Sequence, residues 1–185
     1  MLLVESGSRE GFRMTEQERQ EILNSLEQGK AALRNALQGV TEEMAARAPA
    51  PGSWSILGCV EHLVISEEYL FRQITESEQA GAPLINERRE AAIPVRGLDR
   101  SRRMESPPEG APNGLFPTIK EAVERFTANR ERTIRFVREN TEDLRSRITS
   151  HPIMGTVNCH EMLLSIAVHC LRHVKQIEEA KAAIV

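Results

Sequence analysis

Apolar residues recur every three or four positions in four long stretches of this chain, the period of an amphipathic helix. The first stretch opens at Thr15-Glu16-Gln17-Glu18, a capping box, and runs through Ile22, Leu26, Leu33 and Leu37 to a stop at Gly39. Thr41 to Arg47 predicts one short helical piece before Pro49-Ala50-Pro51-Gly52 breaks the chain. Ser53 or Ser55 then caps a second long helix, running to about Gln79, whose stripe is Ile56, Val60, Leu63, Leu70 and Ile74. Thr118-Ile119-Lys120-Glu121 is another capping box and starts a third helix carrying Ile119, Val123, Phe126, Ile134 and Val137, with Asn140 as its stop. Asn158, followed three residues later by Glu161, caps a fourth that extends to about Lys181 and aligns Met162, Ile166, Cys170, Val174 and Ile177.

From Ala80 to Pro117 no helical period lasts, and Pro and Gly are dense. The pattern predicts a long structureless crossover, which lets the third helix run parallel to the second where a short loop would force it antiparallel. There is no strand-like alternation and no internal repeat. The expected fold is therefore all-α, an up-down-down-up four-helix bundle with a long crossover loop between helices 2 and 3. It spans 14–185, behind a loose N-terminal extension over 1–13. The crossover carries Arg88, Arg89, Arg96, Arg100, Arg102 and Arg103 against Glu87, Glu90 and Asp99. Two readings stand: a solvated loop, or a lid that greets an anionic ligand.

Composition narrows the partners. A chain of 185 residues can bury one real core without staples, and a net charge of −3 gives no general attraction to nucleic acid or anionic lipid. Three cysteines without framework spacing fit a reducing compartment. No apolar run approaches the roughly 20 residues of a membrane span, and Met1-Leu2-Leu3-Val4 is too short for a signal peptide. The expectation is a cytoplasmic protein with no nucleic-acid or membrane partner.

Chemistry enters at His169-Cys170-Leu171-Arg172-His173 in the fourth helix. Two histidines four residues apart lie about 40° apart around a helix, so both imidazoles can reach one divalent cation. A third, His62, sits in the second helix at the edge of its apolar stripe. If these two helices are antiparallel, His62 lies roughly 10 Å in from Ser55 and His173 roughly 12 Å back from Lys181, about the same level. His62, His169 and His173 are thus the predicted metal ligands. His160 is half a turn out of phase and points away, while His151 precedes a proline and reads as a loop residue that at most rims a pocket. Cys59 is one turn before His62, and its plainer reading is a small buried hydrophobe. Tyr69 and Ser165 share the ligand faces, with packing as the plainer role. Trp54 reads as the core anchor of the second helix, and Arg172 as the partner of a carboxylate on the third or fourth. No general acid or base is assigned.

Several of these residues together resemble a known family. Gly52-Ser53-Trp54-Ser55 leading into Glu61-His62-Leu63, then His151-Pro152, Gly155, and His169-x-x-Arg172-His173-x-x-Gln176-Ile177, resemble the DinB-like (YfiT-like) metalloenzymes from Thr15 to Lys181. The resemblance implies an up-down-down-up bundle, a homodimer, and Ni, Zn or Fe held by residues matching His62, His169 and His173. It also implies an enzyme acting on a small molecule: an S-transferase using a low-molecular-weight thiol (bacillithiol, mycothiol or glutathione), or a hydrolase. The arginine-bearing crossover is less typical of the family. Three neutral imidazoles leave an open position on the cation, the pattern of a catalytic site, and suit Zn, Ni and Fe alike. The alternative class is a non-enzymatic metal-binding, stress-response bundle acting through a protein partner.

Overall fold

A computed structural model describes residues 12–101 and 105–184. Most of the expected N-terminal extension, residues 1–11, lies outside the described residues, as do Arg102 and Arg103 of the crossover. Among the described residues six α-helices form: α1 (Glu16–Ala36), α2 (Glu42–Ala46), α3 (Ile56–Thr75), α4 (Glu87–Leu98), α5 (Ile119–Glu139) and α6 (Cys159–Ile184). Each begins where a side chain can accept an otherwise orphaned first-turn amide. Thr15 and Glu18 complete a reciprocal capping box, and Thr41, Ser55, Asn86 and Thr118 each accept one backbone N–H. Asn158 and Glu161 exchange bonds of 2.8 and 3.0 Å at the start of α6. Between the two serines that could cap α3, the structure selects Ser55.

Cross-helix bonds give the directions. Ser25 reaches the Ala167 carbonyl, Cys170 reaches that of Gly29 and Lys181 that of Ala36, so α1 and α6 run parallel. Asn129 bonds the Val64 carbonyl and Phe136 meets the Phe71 ring edge, so α3 and α5 are parallel too. Cys159 lies against Ile74 and His169 against His62, which makes α3 and α6 antiparallel. This is the up-down-down-up bundle. No helix among the described residues is long and apolar enough to cross a membrane.

Two departures from the pattern occur. The crossover is not structureless, because α4 lies within it and runs along α6. Pro94 and Gly97 hide that helix from a period-based reading. Gly97 is there for space, since a Cβ at that position would lie 2.5 Å from Val168 Cγ2. At the bundle end, β1 (Glu78–Gln79), β2 (Arg147–His151) and β3 (Gly155–Asn158) form a small antiparallel sheet in that order. These strands are too short for alternation to show. Gly155, at φ 70°, closes the hairpin in a conformation that L side chains seldom adopt.

Two apolar clusters fill the bundle, one around Leu26, Leu70 and Met162, the other around Leu33, Leu63 and Val174. A buried ion pair also ties the helices together. Arg130 donates 3.1 and 2.8 Å bonds to Glu67 Oε2 and a third to the Leu26 carbonyl, while Thr133 donates to Glu67 Oε1. Both charged side chains are 3% exposed or less. Removing one partner strands the other charge in a low-dielectric core. Glu67→Ala is therefore expected to lower unfolding free energy by about 3–5 kcal/mol, as read by denaturant titration. A loss below about 1 kcal/mol would show that water reaches the pair.

Candidate metal centre

Antiparallel packing carries His62, two turns into α3, to the level of His169 and His173 on α6. His62 and His173 are buried and His169 partly so. The His62 and His169 Nε2 atoms are 3.2 Å apart, and those of His173 and His169 3.1 Å. Metal–nitrogen bonds of 2.0–2.1 Å at tetrahedral angles would place ligand nitrogens about 3.3 Å apart, so the observed spacing fits edges of one coordination shell.

The outer ring nitrogens show which way the lone pairs face. His62 Nδ1 is 2.6 Å from the Gly110 carbonyl, which can only accept. His173 Nδ1 is 2.9 Å from Gln176 Oε1. Arg100 also donates to that oxygen, at 3.5 Å. Both rings therefore carry their proton on Nδ1 and turn a bare Nε2 lone pair toward His169. Carbonyl-type partners on the far nitrogen are the usual outer support of metal-binding histidines. Trp54 packs over this group, its ring 4.7 Å from His62 and 6.2 Å from His173. Trp54 packs against the second apolar cluster, as expected of a core anchor, and also forms a wall of the site.

The remaining candidates go elsewhere. His151 Nδ1 accepts the amides of Ile153 and Met154, so its Nε2–H donates to Ser165 Oγ at 3.1 Å. That ring staples the β2–β3 turn. His160 does point away from the triad, toward Glu90 at 3.3 Å. Glu18, Glu90 and His160 make a second grouping of possible ligand atoms. However, Arg145 already bridges both carboxylates at 2.6 and 2.7 Å, and its fixed charge occupies the place of a cation. Cys59 and Cys170 are fully buried, and burial pushes both thiols up to about 12, so neither offers a thiolate. Tyr69 packs against the apolar cluster near the sheet. Arg172 donates to the Asp99 carbonyl beyond α4. Gly110 escaped the sequence reading, while Gln176 and Trp54 entered it as residues of the resemblance without their contacts to the rings. Gln176 carried a signal, being three residues after His173 on one helix face, whereas Gly110 carried none.

Burial is the main cause of the ionisation behaviour. Desolvation lowers His62, although the Gly110 bond works against it. It drives His169 well below its ordinary value, helped by the neighbouring rings and Arg130. It brings His173 down to about 3, with Arg172 and Arg100 adding to the effect, and His151 to about 4. These rings are neutral at pH 7 and ready to donate lone pairs. A histidine with a depressed folded value binds its proton more readily in the unfolded chain, so stability is fully present above the unfolded pKa of about 6.5 and lost below it. The metal-free protein should therefore lose melting temperature steadily as pH falls from about 6.5 toward 5, where unfolded carboxylates are still ionised. His173→Ala should flatten that slope, and an unchanged slope would show that the rings are solvated. Proton competition with a metal is likewise displaced below the pH of an ordinary histidine.

Residues 25–177 match the DinB superfamily. No curated protein matches the chain. Among solved structures, the fold is similar to that of YfiT from Bacillus subtilis, described as a probable metal-dependent hydrolase with an unusual four-helix bundle topology. The TM-score is 0.59 at 16% identity, covering 91% of this chain and 89% of YfiT. At that identity the likeness speaks to the fold alone. The match to the superfamily takes in all three converging histidines, and the chain belongs to the DinB superfamily.

Proposed function

We propose that this protein is a metal-dependent enzyme, a hydrolase of small molecules, whose divalent ion is held by His62, His169 and His173. The observation that carries the reading is the convergence of three Nε2 atoms, two of them stripped of protons by acceptors behind the rings. Lone pairs turned on one another repel unless a cation or a shared proton sits between them. When bound, a divalent ion with three neutral imidazole ligands keeps its full charge and an open position, and brings a coordinated water to a pKa near 7. The chain supplies the rest. Gly110 and Gln176 fix ring orientation, Trp54 packs against two of the rings, and the charge of Arg130 disfavours protonation of His169. Thiol-dependent transfer is the second reading. It draws on Arg100 and Arg172, whose charges reach His173 and would favour an anionic thiol.

Protein purified without a metal-binding tag should contain about one divalent ion per chain, and His169→Ala or His173→Ala should abolish it. Full metal content in both variants would refute the site. Chromogenic ester and amide substrates should be cleaved by the loaded protein, not by the chelated one. Thiol-dependent consumption of an electrophile without hydrolysis would select the transferase.

The two apolar clusters draw side chains from all four long helices, which gives the bundle a core of its own apart from the ion. Gentle chelation should leave the helical far-ultraviolet signal and a cooperative melt, lowered by about 2–8 °C. Global unfolding would make the site a structural staple.

A further inference from the structure

The crossover returns to the bundle directly over the first turns of α3. Pro107 and Pro108 open a 3-10 turn ending at Gly110, closed by bonds from the Gly110 and Ala111 amides back to the two proline carbonyls. The Gly110 carbonyl then meets His62 Nδ1 at 2.6 Å. Gly110 also approaches closely by its alpha carbon, since a Cβ there would lie 3.1 Å from both Ser66 Oγ and Ser106 Oγ and 3.5 Å from His62 Cε1.

The neighbour of His62 on the same helix holds this turn down. Glu61 is 2% exposed, and one of its oxygens, Oε1, accepts the backbone amides of Asn113 at 2.6 Å and Leu115 at 3.0 Å. Two consecutive residues of α3 thus grip a six-residue stretch, one by its carbonyl and one by its amides. Ser66 Oγ also lies 3.3 Å from His62 Nδ1, but a hydroxyl can donate as well as accept, so only the Gly110 carbonyl obliges that nitrogen to keep its proton. Without the carbonyl the ring can carry its proton on Nε2 instead, where it blocks the lone pair that faces the site. We propose that Glu61 is a positioning residue of the metal centre: by anchoring residues 113–115 it holds the Gly110 carbonyl on His62 and keeps that ring in its ligand tautomer. The tautomer claim stands on the geometry alone, while its consequence for affinity rests on the reading of the three histidines as metal ligands. One of its oxygens takes both amides, so the role is that of a hydrogen-bond acceptor, which an uncharged amide side chain can also fill.

The test uses the full chain with nitrogen-15 histidine, metal-free, and long-range proton–nitrogen correlation to read each ring's tautomer. Wild type and Glu61→Gln, which retains the accepting oxygen, should both show His62 protonated on Nδ1. Glu61→Ala should show a mixture with the Nε2–H form. Zinc titration should then give affinity weakened about 10–100-fold in Glu61→Ala and held within about threefold in Glu61→Gln. A purely structural role would lower the melting temperature of Glu61→Ala and leave both readouts unmoved, which would overturn the proposal. Zinc failing to bind the wild type would sink the metal reading instead, and the tautomer comparison would still decide this one. Should Glu61→Ala not fold, Glu61→Asp reads the same contact, because the shorter side chain withdraws the accepting oxygen from the Asn113 and Leu115 amides. Retention of the wild-type tautomer there would also overturn it.

Discussion

The antiparallel register of α3 against α6 is the constraint on which the rest of this structure depends. Each residue advances a helix by about 1.5 Å, so a slip of one turn would shift His62 by about 5.4 Å, beyond the reach of a metal–nitrogen bond shared with α6. Packing at both ends holds that register. Ile74 meets Cys159 beside the small sheet, and Val60 and Leu63 share a cluster with Val174 and Ile177 at the other end. Glu67 and Arg130 fix α3 against α5, and the Leu26 carbonyl draws in α1. The triad is therefore placed by the whole bundle and not by a local motif.

Electrostatics at the centre follow from that placement. No carboxylate joins the three rings in a ligand grouping among the described residues, and the charges that bear on them are cationic: Arg130 on His169, and Arg100 and Arg172 on His173. Desolvation and nearby positive charge act in the same direction, toward neutral imidazole. A cation entering such a site would gain lone pairs without having its charge neutralised, which is the condition for Lewis acidity. The Glu18–Glu90–His160 grouping shows the opposite solution. There a permanent guanidinium fills the place, and the carboxylates serve to fasten α4.

The crossover joins topology to chemistry. Running α5 parallel to α3 requires a long return, and this chain does not leave that return idle. Its first half forms α4, seated on α6 through Gly97 and Val168 and through Arg89 paired with the buried Glu161. Its second half lays Gly110 against His62 and gives its amides to Glu61. The arginines suspected of forming a lid divide accordingly. Arg89 is a fastening, and Arg100 is paired with Glu179 close to the site.

Much of this was legible in one dimension. The four long helices, their caps at Thr15, Thr118 and Asn158, the need for a crossover and the alignment of His62 with His169 and His173 all follow from period, capping chemistry and helical rise. Those are local or one-dimensional properties that a chain carries wherever it is. What the tertiary structure alone decided was of another kind. The helix α4 survives Pro94 and Gly97 because α6 gives it a surface to fit, and β1 to β3 exist because segments remote in sequence meet. Gly110 became part of the site because a long return happens to end over α3, and Trp54 became its wall because the start of α3 lies level with the end of α6. His151 turned inward to hold a hairpin that no alternation announced. Periodicity records which face a residue lies on; only the packed fold settles which partner that face finds, because a contact between distant segments depends on the path of everything between them.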